Sequence, residues 1–521
     1  MMLEIVLGDL RERTRRYSFL ITLLGTLFAG YLVITGKWTV RLGEYRGLYN
    51  SAWVGSLMGS ASTIMLALFG FYLVKNSLDR DRETRVGEIL ATTPLSKLAY
   101  VASKFISNFA VLTLMAAVLA AAAVAMQLAS RVEGGFDPWA LVAPFFFVCL
   151  PVMALVAAMA VLFESIRWLR GTIGNILYFF IAELAFVNHL FLDAPFLDFS
   201  GFGMFAPSME QAALAAYPGA QLGFEIGFVG MFEGGAAAAP KLFLWEGIDW
   251  SLAMVPLRLL WVACAVGVTG LAARCFDGFD PARERRSEQR GHTRALSAAA
   301  EDLDVPMRPP RSFAGMTKVK MRFGFLRMLS AELRLMLKGH HWSWYAVAAG
   351  LVAVQLAVPY EYARRFALPA AWIWPLAIWS GMGTREARFQ TGEFLFSSPY
   401  PLSRQFPAIW AAGLLIAACT ALPMLIRALA AAESGQPGVL LAGAVFVPTL
   451  ALALGTVSGS RKLFEVGYLL LWYVGPVNGL PALDFLGTTG AAAETSIALV
   501  CVVLSLALLC VALLWRRRQR T

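Results

Sequence analysis

Long apolar runs recur along the whole chain, and they limit the folds that are open to it. A helix needs about 20 apolar residues to cross the hydrocarbon core of a bilayer. Runs of suitable length are centred near Leu24, Leu66, Ala117, Ala154, Phe180, Ala263, Val352, Leu376, Leu415, Val445, Leu470 and Leu506. Only 15% of the residues are charged, whereas a soluble domain carries about 25%. We therefore predict an all-α integral membrane protein with about twelve transmembrane helices, six in each half.

Basic residues predict the orientation of these spans. Lys and Arg are enriched in the cytoplasmic loops of membrane proteins. The basic residues that fall on one side of the predicted spans include Arg11, Arg13, Arg15, Arg16, Arg80, Arg82, Arg85, Arg167, Arg170, Arg516, Arg517, Arg518 and Arg520. That side is predicted to be cytoplasmic, with both termini on it. Arg364 and Arg365 fall on the opposite side, against the rule.

Reactive residue types are sparse. The six cysteines form no Cys-x-x-Cys pair, and five of them lie in apolar runs, where they are expected to be small buried hydrophobes. The four histidines are too scattered for a metal site. The net charge of +10 belongs in cytoplasmic loops rather than on a nucleic-acid surface. We predict that this chain itself holds no metal, cofactor or nucleic acid.

Two polar segments between long apolar runs have nearly the same sequence. The first polar segment (residues 82–97) contains Gly87-Glu88-Ile89-Leu90-Ala91-Thr92-Thr93-Pro94, and the second polar segment (residues 385–404) contains Gly392-Glu393-Phe394-Leu395-Phe396-Ser397-Ser398-Pro399. They begin with Arg82-Glu83 and Arg385-Glu386, and Glu88 and Glu393 are 305 positions apart (393 − 88). A solvated loop explains either segment alone. Their repetition indicates a docking surface used by two copies of one partner.

Three weaker matches run in the same order along the chain. They are Asp9-Leu10-Arg11 with Glu332-Leu333-Arg334, Val187-Asn188 with Val477-Asn478, and residues 195–199 with residues 481–485. Together the matches predict an internal duplication. Its parts are a first half (1–273), a flexible cytoplasmic linker (274–322) and a second half (323–521). Residues 191–250 form an outer insertion, predicted as short helices on the outer leaflet and a possible contact for an extracytoplasmic partner.

Each half also begins with an amphipathic stretch, which we call its leading helix. Leu3, Val6, Leu7 and Leu10 repeat at helical spacing in the first, and Phe325, Met328, Leu329 and Met336 do so in the second. We expect both helices to lie among membrane lipids at the inner interface. A plain extension of the following span is the alternative.

The layout resembles the permease subunits of type-2 ABC exporters. In that family each half-permease has an amphipathic first helix, six spans and a cytoplasmic coupling helix between the second and third spans. An Arg-Glu-rich stretch, Gly-Glu, a Leu, a small pair and Pro mark the coupling helix, as in both polar segments here. The resemblance implies a location in a bacterial inner membrane and docking of two ABC ATPase subunits, one on each segment. The residues that it assigns to ATPase coupling are Arg82, Glu83, Arg85, Gly87, Glu88, Ile89, Leu90, Pro94, Arg385, Glu386, Arg388, Gly392, Glu393, Phe394, Leu395 and Pro399.

The chain has no Gly-x-x-x-x-Gly-Lys-Ser/Thr loop, so no nucleotide site is predicted in it. ATP and Mg are expected in the partner ATPase, and this chain is not predicted to be an enzyme. Its predicted function is that of an exporter's permease, working by alternating access. The apolar spans suit a lipid, peptide or drug better than a sugar.

Three residues are candidates for a substrate path. Glu183 lies in mid-span, where an acidic group must face protein or water, and it is either a substrate or proton site or a packing group. Asn188 and Asn478 lie at the matching outer ends of the fifth spans of the two halves. Glu164 and Glu465 lie nearer to span ends, and for them a packing role is preferred.

Three other classes of function compete with the permease. A membrane enzyme would need clustered His, Glu or Asp residues at span ends, and no His-Glu-x-x-His pair is present. A non-transporting transmitter would pass ATPase movement to an extracytoplasmic partner at residues 191–250. An ion-driven secondary transporter is suggested by Glu183 alone.

Overall fold

The computed structural model divides the chain into two compact units, residues 1–306 and 307–521. The boundary lies within the range predicted to be a linker. The residues that the structure describes are 2–15, 17–130, 135–187, 198–228, 240–250, 254–279, 324–338, 342–392, 397, 401–431, 435–490, 492 and 495–518.

The first unit is mostly helical. Its helices are α1 (Met2–Thr14), α2 (Tyr17–Ile34), α3 (Ser51–Met65), α4 (Phe71–Val74), α5 (Ser77–Glu83), α6 (Val86–Ala91), α7 (Lys97–Ser130), α8 (Pro138–Pro144), α9 (Leu150–Ser165), α10 (Thr172–Val187), α11 (Phe202–Ala216) and α12 (Met254–Cys275). A π-helical turn, Leu66–Gly70, joins α3 to α4, and a second, Phe145–Cys149, joins α8 to α9.

Capping side chains and a proline mark where α3 and α8 begin. The Asn50 side chain accepts a hydrogen bond from the backbone N–H of Trp53 and caps α3. Asp137 caps α8, where Pro138 takes the first turn because that turn needs no backbone N–H. Within α3, every residue from Ser51 to Thr63 is buried, as expected of a helix surrounded by others.

A small sheet accompanies the helices of the first unit. Its strands are β1 (Trp38–Leu42), β2 (Tyr45–Gly47), β3 (Phe224–Phe228) and β4 (Lys241–Phe243), in the order β3-β1-β2-β4. β1 pairs antiparallel with β2 and β3, whereas β2 and β4 are parallel. Within its described residues, the insertion predicted as short helices therefore contributes one helix, α11, and two strands. Strand pairing between positions almost 190 residues apart leaves little local signal.

The second unit is described by itself. Its helices are α13 (Phe325–Leu337), α14 (Trp342–Ala357), α15 (Tyr360–Tyr362), α16 (Leu368–Ile373), α17 (Leu376–Trp379), α18 (Arg385–Phe389), α19 (Pro401–Ala430), α20 (Gln436–Ser458), α21 (Arg461–Trp472) and α22 (Ile497–Arg518). π-helical turns, Ala363–Ala367 and Tyr473–Val477, join α15 to α16 and extend α21.

Seven helices in the described ranges are long and apolar enough to cross a membrane, and an eighth results if α1 and α2 count as one bent span. This is consistent with a multi-pass membrane protein. All twelve predicted runs lie in helical segments, but those near Phe180 and Val352 form shorter helices. The runs near Leu376 and Leu470 are interrupted at Pro375 and Pro476, as expected where proline removes a backbone donor. Twelve spans remain a prediction.

The first residues of the predicted linker are packed onto the first unit. α12 extends to Cys275, and beyond it Phe276 and Phe279 lie against Tyr100, with ring centroids 5.4 and 5.1 Å apart. Residues 274–279 therefore belong to the folded unit rather than to a flexible connection.

Candidate functional site

The chain leaves the α3–α4 helix through a sharp break. Lys75 is extended and Asn76 has φ +90°, in the left-handed region. The carboxylate of Glu164, at the end of α9, accepts hydrogen bonds from the backbone N–H of Asn76 (2.6 Å), Leu78 and Asp79 (3.3 Å). Glu164 is fully buried and caps α5 from a neighbouring helix. This is a packing role, the one preferred for Glu164 from the sequence.

The first polar segment then turns into the short helix α6. Arg85 has φ +59°, uncommon for a residue with a side chain, and it separates α5 from α6. Along α6 the side chains of Val86 and Ile89 are 42% and 67% exposed, and Glu88 is exposed between them. α6 therefore presents two apolar side chains and one carboxylate to the outside.

The other side of α6 is packed against the end of α12. A Cβ atom on Gly87 would lie 2.2 Å from Cδ1 of Phe279, so only glycine fits there without movement. Leu90 packs against the cluster that contains Leu78 and Tyr100. Leu90 is thus half-buried within the unit, whereas Ile89 points away from it.

Arg82 connects α5 to the same aromatic group. It forms an ion pair with Asp79 at 3.1 Å, and its guanidinium lies 5.6 Å from the ring centroid of Phe276 and 5.9 Å from that of Phe279. Arg82 is therefore held by its own unit. Arg170 lies nearby, and burial together with the positive charge of Arg82 lowers the pKa of its guanidinium.

A cluster of buried charges joins α1, α5 and α7, and we call it the leading-helix charge cluster. Nζ of Lys104 lies 2.8 Å from carboxylate oxygens of both Asp9 and Asp81. Arg80 pairs with Asp9 at 3.8 Å and with Glu12. Because Asp9, Asp81 and Lys104 are all at most 5% exposed, each needs its partners to offset the loss of water.

Further polar contacts extend this cluster. The Tyr100 hydroxyl donates to Asp81 at 2.8 Å, and Arg13 donates to the side chain of Asn108. Asp9 and Arg13 are among the residues that α1 buries, while Leu3 is 68% exposed. The inward face of the first leading helix is therefore partly charged and also buries Val6, whereas Leu3 and Leu7 are exposed to the surroundings.

The second unit has a related arrangement around α18. Arg385 pairs at 2.9 Å with Glu332, which lies on the leading helix α13. Glu386 pairs at 2.7 Å with Arg516, near the end of α22, and accepts a long hydrogen bond (3.5 Å) from Gln405. Burial raises the pKa of the Glu332 carboxyl, and the Arg385 charge offsets this only in part.

Several contacts in the two units correspond, with at least one partner of each contact offset by 305 positions. Arg80 and Arg385 are 305 positions apart (385 − 80), and each pairs with an acidic residue of its leading helix. Tyr100 and Gln405, also 305 apart (405 − 100), each donate to the acidic residue that follows that arginine. These contacts favour matching Arg80-Asp81, rather than Arg82-Glu83, with Arg385-Glu386.

The backbone repeats the same spacing. Arg85 and Gln390 both have positive φ, +59° and +52°, and are 305 positions apart (390 − 85). Each comes two residues before a glycine of a polar segment, Gly87 or Gly392. Non-glycine residues in this region are uncommon, and the described residues contain only three of them, Asn76 being the third.

A buried tyrosine contact also occurs in both units. The hydroxyl of Tyr178 on α10 donates to the backbone oxygen of Ala67, and that of Tyr468 on α21 donates to the backbone oxygen of Trp372, each at 2.8 Å. Ala67 and Trp372 are again 305 positions apart (372 − 67). The fifth predicted span is thus bonded to the second in each unit.

Some predicted site residues lie outside the described residues. These are Asn188, Glu393, Phe394, Leu395 and Pro399, and the side chain of Glu83 is likewise not described. In the first polar segment Arg85 and Pro94 are exposed, and in the second Arg388 is exposed and Gly392 half-buried. Glu183 is half-buried on α10 of the first unit, whereas Asn478 is exposed in the second.

Several residues of this region were not recognised from the sequence. Lys104 and Phe279 lie in a predicted span and in the predicted linker, and neither belongs to a motif. Lys104 is the eighth residue of α7, and a charge in an apolar run requires a partner. Its presence therefore indicated a buried ion pair. Asp9 was noted only as part of a repeat, and its contact with Lys104 depends on tertiary structure.

In the described ranges no group of three or more His, Cys, Asp or Glu side chains could hold a metal ion. Comparisons of the chain with family models, with curated proteins and with solved structures found no match.

Proposed function

We propose that the chain is the transmembrane permease subunit of an ATP-binding-cassette exporter, which moves its substrate by alternating access. Two separate ATPase subunits dock on it, one on each polar segment, and they bind the ATP and Mg. The polar segments and both termini face the cytoplasm of a bacterial cell. The shorter helical runs complete twelve spans in two duplicated halves.

The exposed face of α6 is the observation that carries this proposal. Ile89 is 67% exposed and lies beside the exposed Glu88. On the other side of the same helix, Gly87 is buried and Leu90 is half-buried. Fully burying an isoleucine side chain contributes about 1.5–3 kcal/mol. A partner that covers α6 gains most of that free energy, and Glu88 offers it a carboxylate.

The packing behind α6 supports its use as a coupling helix. Gly87 and Leu90 contact the ends of α12 and α7, while α5 is tied to α1, α7 and α9 through Asp81 and the cap by Glu164. A load on α6 therefore acts on the ends of several long helices. A solvated loop needs no such support.

The repeated contacts support an internal duplication. Ion pairs, hydrogen bonds and left-handed residues recur in both units, with at least one residue of each contact offset by 305 positions. These corresponding contacts support the proposed duplication beyond the similarity of the two polar segments. Two copies of one ATPase are the expected partners of such a chain.

The test is co-purification of the ATPase with variants of α6. Ile89→Asp is expected to weaken ATPase binding by about 30-fold, the effect of losing a contact of about 2 kcal/mol. Glu88→Lys combined with Glu393→Lys is expected to leave the chain in the membrane and lower substrate-stimulated ATPase activity. Leu214→Asp on α11 is the matched control, because Leu214 is also exposed, at 44%.

Normal ATPase recovery and normal stimulation in both α6 variants would refute the docking proposal. If Leu214→Asp also loses ATPase recovery and stimulation, an acidic substitution at any exposed site has the same effect. That result would also contradict the docking proposal. The unfolding midpoint of Ile89→Asp should stay near that of the parent, since an exposed side chain contributes little to stability.

A non-transporting transmitter is the second candidate. The folded sheet β3-β1-β2-β4, with residues of the insertion at both edges, favours it because short edge strands can take up a partner. Vesicles that contain the reconstituted complex distinguish the two functions. ATP-dependent substrate movement supports the exporter, and ATP hydrolysis without movement supports the transmitter.

A further inference from the structure

A polar cavity lies in the second unit, at the end of the helical segment 360–379 that is far from Arg385. Its volume is about 470 Å³, within the range of about 300–1,000 Å³ that is usual for small-molecule sites. One wall comes from residues 361–366 and the other from residues 478–489. Arg364 and Arg365 both line it, the two arginines that run against the orientation rule.

Arg365 supplies an uncompensated positive charge to this cavity. Within the described part of the chain it has no hydrogen-bond or ion-pair partner, whereas Arg364 pairs with Glu361 at 2.7 Å. The backbone at Gly479, with φ +74°, comes so close that a Cβ there would lie 3.1 Å from Nη1 of Arg365. The guanidinium is thus held against backbone at the cavity wall with its donors unused.

The opposite wall is held in place by a buried carboxylate. Asp484 is fully buried and accepts hydrogen bonds from the Thr488 hydroxyl (3.0 Å) and from the backbone N–H and hydroxyl of Thr489 (2.8 and 2.9 Å). The side-chain amide of Asn478 donates to the backbone oxygen of Tyr473 at 2.8 Å. These bonds hold the Thr489 and Asn478 side chains in place before any ligand arrives, while Oδ1 of Asp484 has no hydrogen-bond partner within the described residues.

Arg427 adds a third positive charge close to the arginine wall. The guanidinium groups of Arg364 and Arg427 lie 5.8 and 5.7 Å from the ring centroid of Tyr360. Arg364, Arg365 and Arg427 carry three positive charges here, against the two negative charges of Glu361 and Asp484. This end of the unit therefore favours an anion.

Two exposed aromatic rings adjoin the same cavity. Tyr362 and Phe366 are 63% and 65% exposed and stack on each other, with ring centroids 6.5 Å apart. Aromatic side chains of this kind are typical of the membrane interface. A small soluble anion would leave them in contact with solvent, whereas an amphiphile covers them with its glycerol and acyl groups.

We propose that this cavity binds the phosphate group of a phospholipid, with Arg365 as its main ligand and the Tyr362–Phe366 pair against the lipid's apolar part. Arginine stays charged at all relevant pH values and can give a phosphate two parallel hydrogen bonds. The proposal does not depend on an ATPase partner, because the site lies in this chain alone.

Binding to the purified, detergent-solubilised full chain tests the proposal with three probes. Dioctanoyl phosphatidylglycerol carries both the phosphate and the chains, dioctanoylglycerol carries only the chains, and glycerol phosphate carries only the phosphate. The first is expected to bind at least about tenfold more tightly than either of the others. If glycerol phosphate binds as tightly as phosphatidylglycerol, the site takes soluble anions. If dioctanoylglycerol binds as tightly as phosphatidylglycerol, the phosphate group plays no part in binding. Either result overturns the proposal.

Four variants locate the probe. Arg365→Gln is expected to weaken phosphatidylglycerol binding about tenfold or more, and Arg365→Lys to weaken it less, since lysine keeps the charge without the planar donor pair. Glu361→Gln is expected to strengthen it a few-fold, because an exposed negative charge beside the site is removed. Phe366→Ala is expected to weaken binding of the lipid and leave glycerol phosphate unaffected.

Arg327→Gln on α13 is the control, because Arg327 is exposed and outside the cavity. Unchanged binding in Arg365→Gln, at a normal unfolding midpoint, would overturn the proposal. If Arg365→Gln does not fold, weaker rather than stronger binding by Glu361→Gln, at a normal unfolding midpoint, would overturn it as well.

Discussion

Single buried charges hold the leading helix of the first unit to its neighbours. Lys104 contacts Asp9 and Asp81 at 2.8 Å each, so one ammonium group joins three helices. Breaking such a contact by removing one partner typically costs about 3–5 kcal/mol, because the other charge stays buried and unpaired. The contacts thus specify one arrangement of α1, α5 and α7 more than they add net stability.

The carboxyl of Glu332 makes the second unit sensitive to pH. Its pKa is raised chiefly by burial, so the folded chain holds this proton more tightly than the unfolded chain. Stability contributed by the neutral form is therefore lost as pH rises from the ordinary glutamate value of about 4.3 to the raised value. Glu332→Gln cannot lose a proton, and it should become more stable relative to the parent as pH increases through that window.

Unfolding midpoints of the purified parent and Glu332→Gln, measured from about pH 4.5 to about pH 7.5, check this prediction. Arg385→Gln is the matched variant, because losing the nearby positive charge should make the decline of stability with pH steeper. The expected result is that the midpoint of Glu332→Gln minus that of the parent increases as pH rises. If this difference stays constant or decreases, a raised pKa at Glu332 is contradicted.

The sequence indicated which residues of this region are polar or exposed better than it indicated which residues contact each other. Glu88, Ile89 and Leu90 are predicted to contact an ATPase; the first two are exposed, Leu90 is half-buried against its own unit, and their role in coupling stays a prediction. Arg82 was expected to be available to a partner but pairs with Asp79. The sequence repeat alone matches Arg385 with Arg82. The structure matches Arg385 with Arg80, two positions earlier, because these two arginines pair with their leading helices.

At the scale of elements, α6 works as a small two-sided helix. Its inner side depends on the absence of a side chain at Gly87, where the Phe279 ring fills the space. Its outer side is free because the inner contacts already hold it. A longer side chain at position 87 should therefore displace α6 without touching the outer face.

Gly87→Ala is expected to destabilise the first unit by about 1–3 kcal/mol, since the new Cβ would overlap the Phe279 ring. Phe279→Ala removes the obstacle and should make Gly87→Ala far less costly, so the two changes are not additive. Gly392→Ala is the control, because no atom lies within 4 Å of the corresponding Cβ. Denaturant unfolding of the four variants measures these effects, and strict additivity would count against the contact.

Apolar periodicity located the helices but not the strands. The runs at Leu66 and Ala154 became long buried helices, because about 20 apolar residues have few other ways to bury their backbone. β1 pairs with β3, whose residues lie far along the chain, and this pairing leaves no local pattern. The same reason explains why the insertion was predicted to be helical.

At the scale of the whole molecule, the two units are similar in their contacts and unequal in their details. The first ends its last helix in aromatic residues beside Tyr100, and the second ends its last helix in Arg516 beside Glu386. Only the first carries the sheet among the described residues. Unequal surroundings of the two polar segments predict unequal responses to the proposed ATPase subunits.

Each unit is compact by itself, which predicts that the connection between the two units can be cut. A protease site introduced between Ala300 and Glu301 lies near the boundary of the units at residue 306. After cleavage, both fragments should stay in the membrane fraction, and each should keep its unfolding midpoint within about 2 °C. Loss of cooperative unfolding in either fragment would show that its fold requires the intact chain.

The cap that Glu164 forms on α5 has a mechanical consequence. Three backbone donors converge on one buried carboxylate, so α5 and the end of α9 cannot part without stranding an anion in an apolar layer. α9 meets α12 instead through Ala154, Ala158 and Ala265, which form no directional bonds. Shear within the first unit is therefore easier along that alanine seam than at the carboxylate.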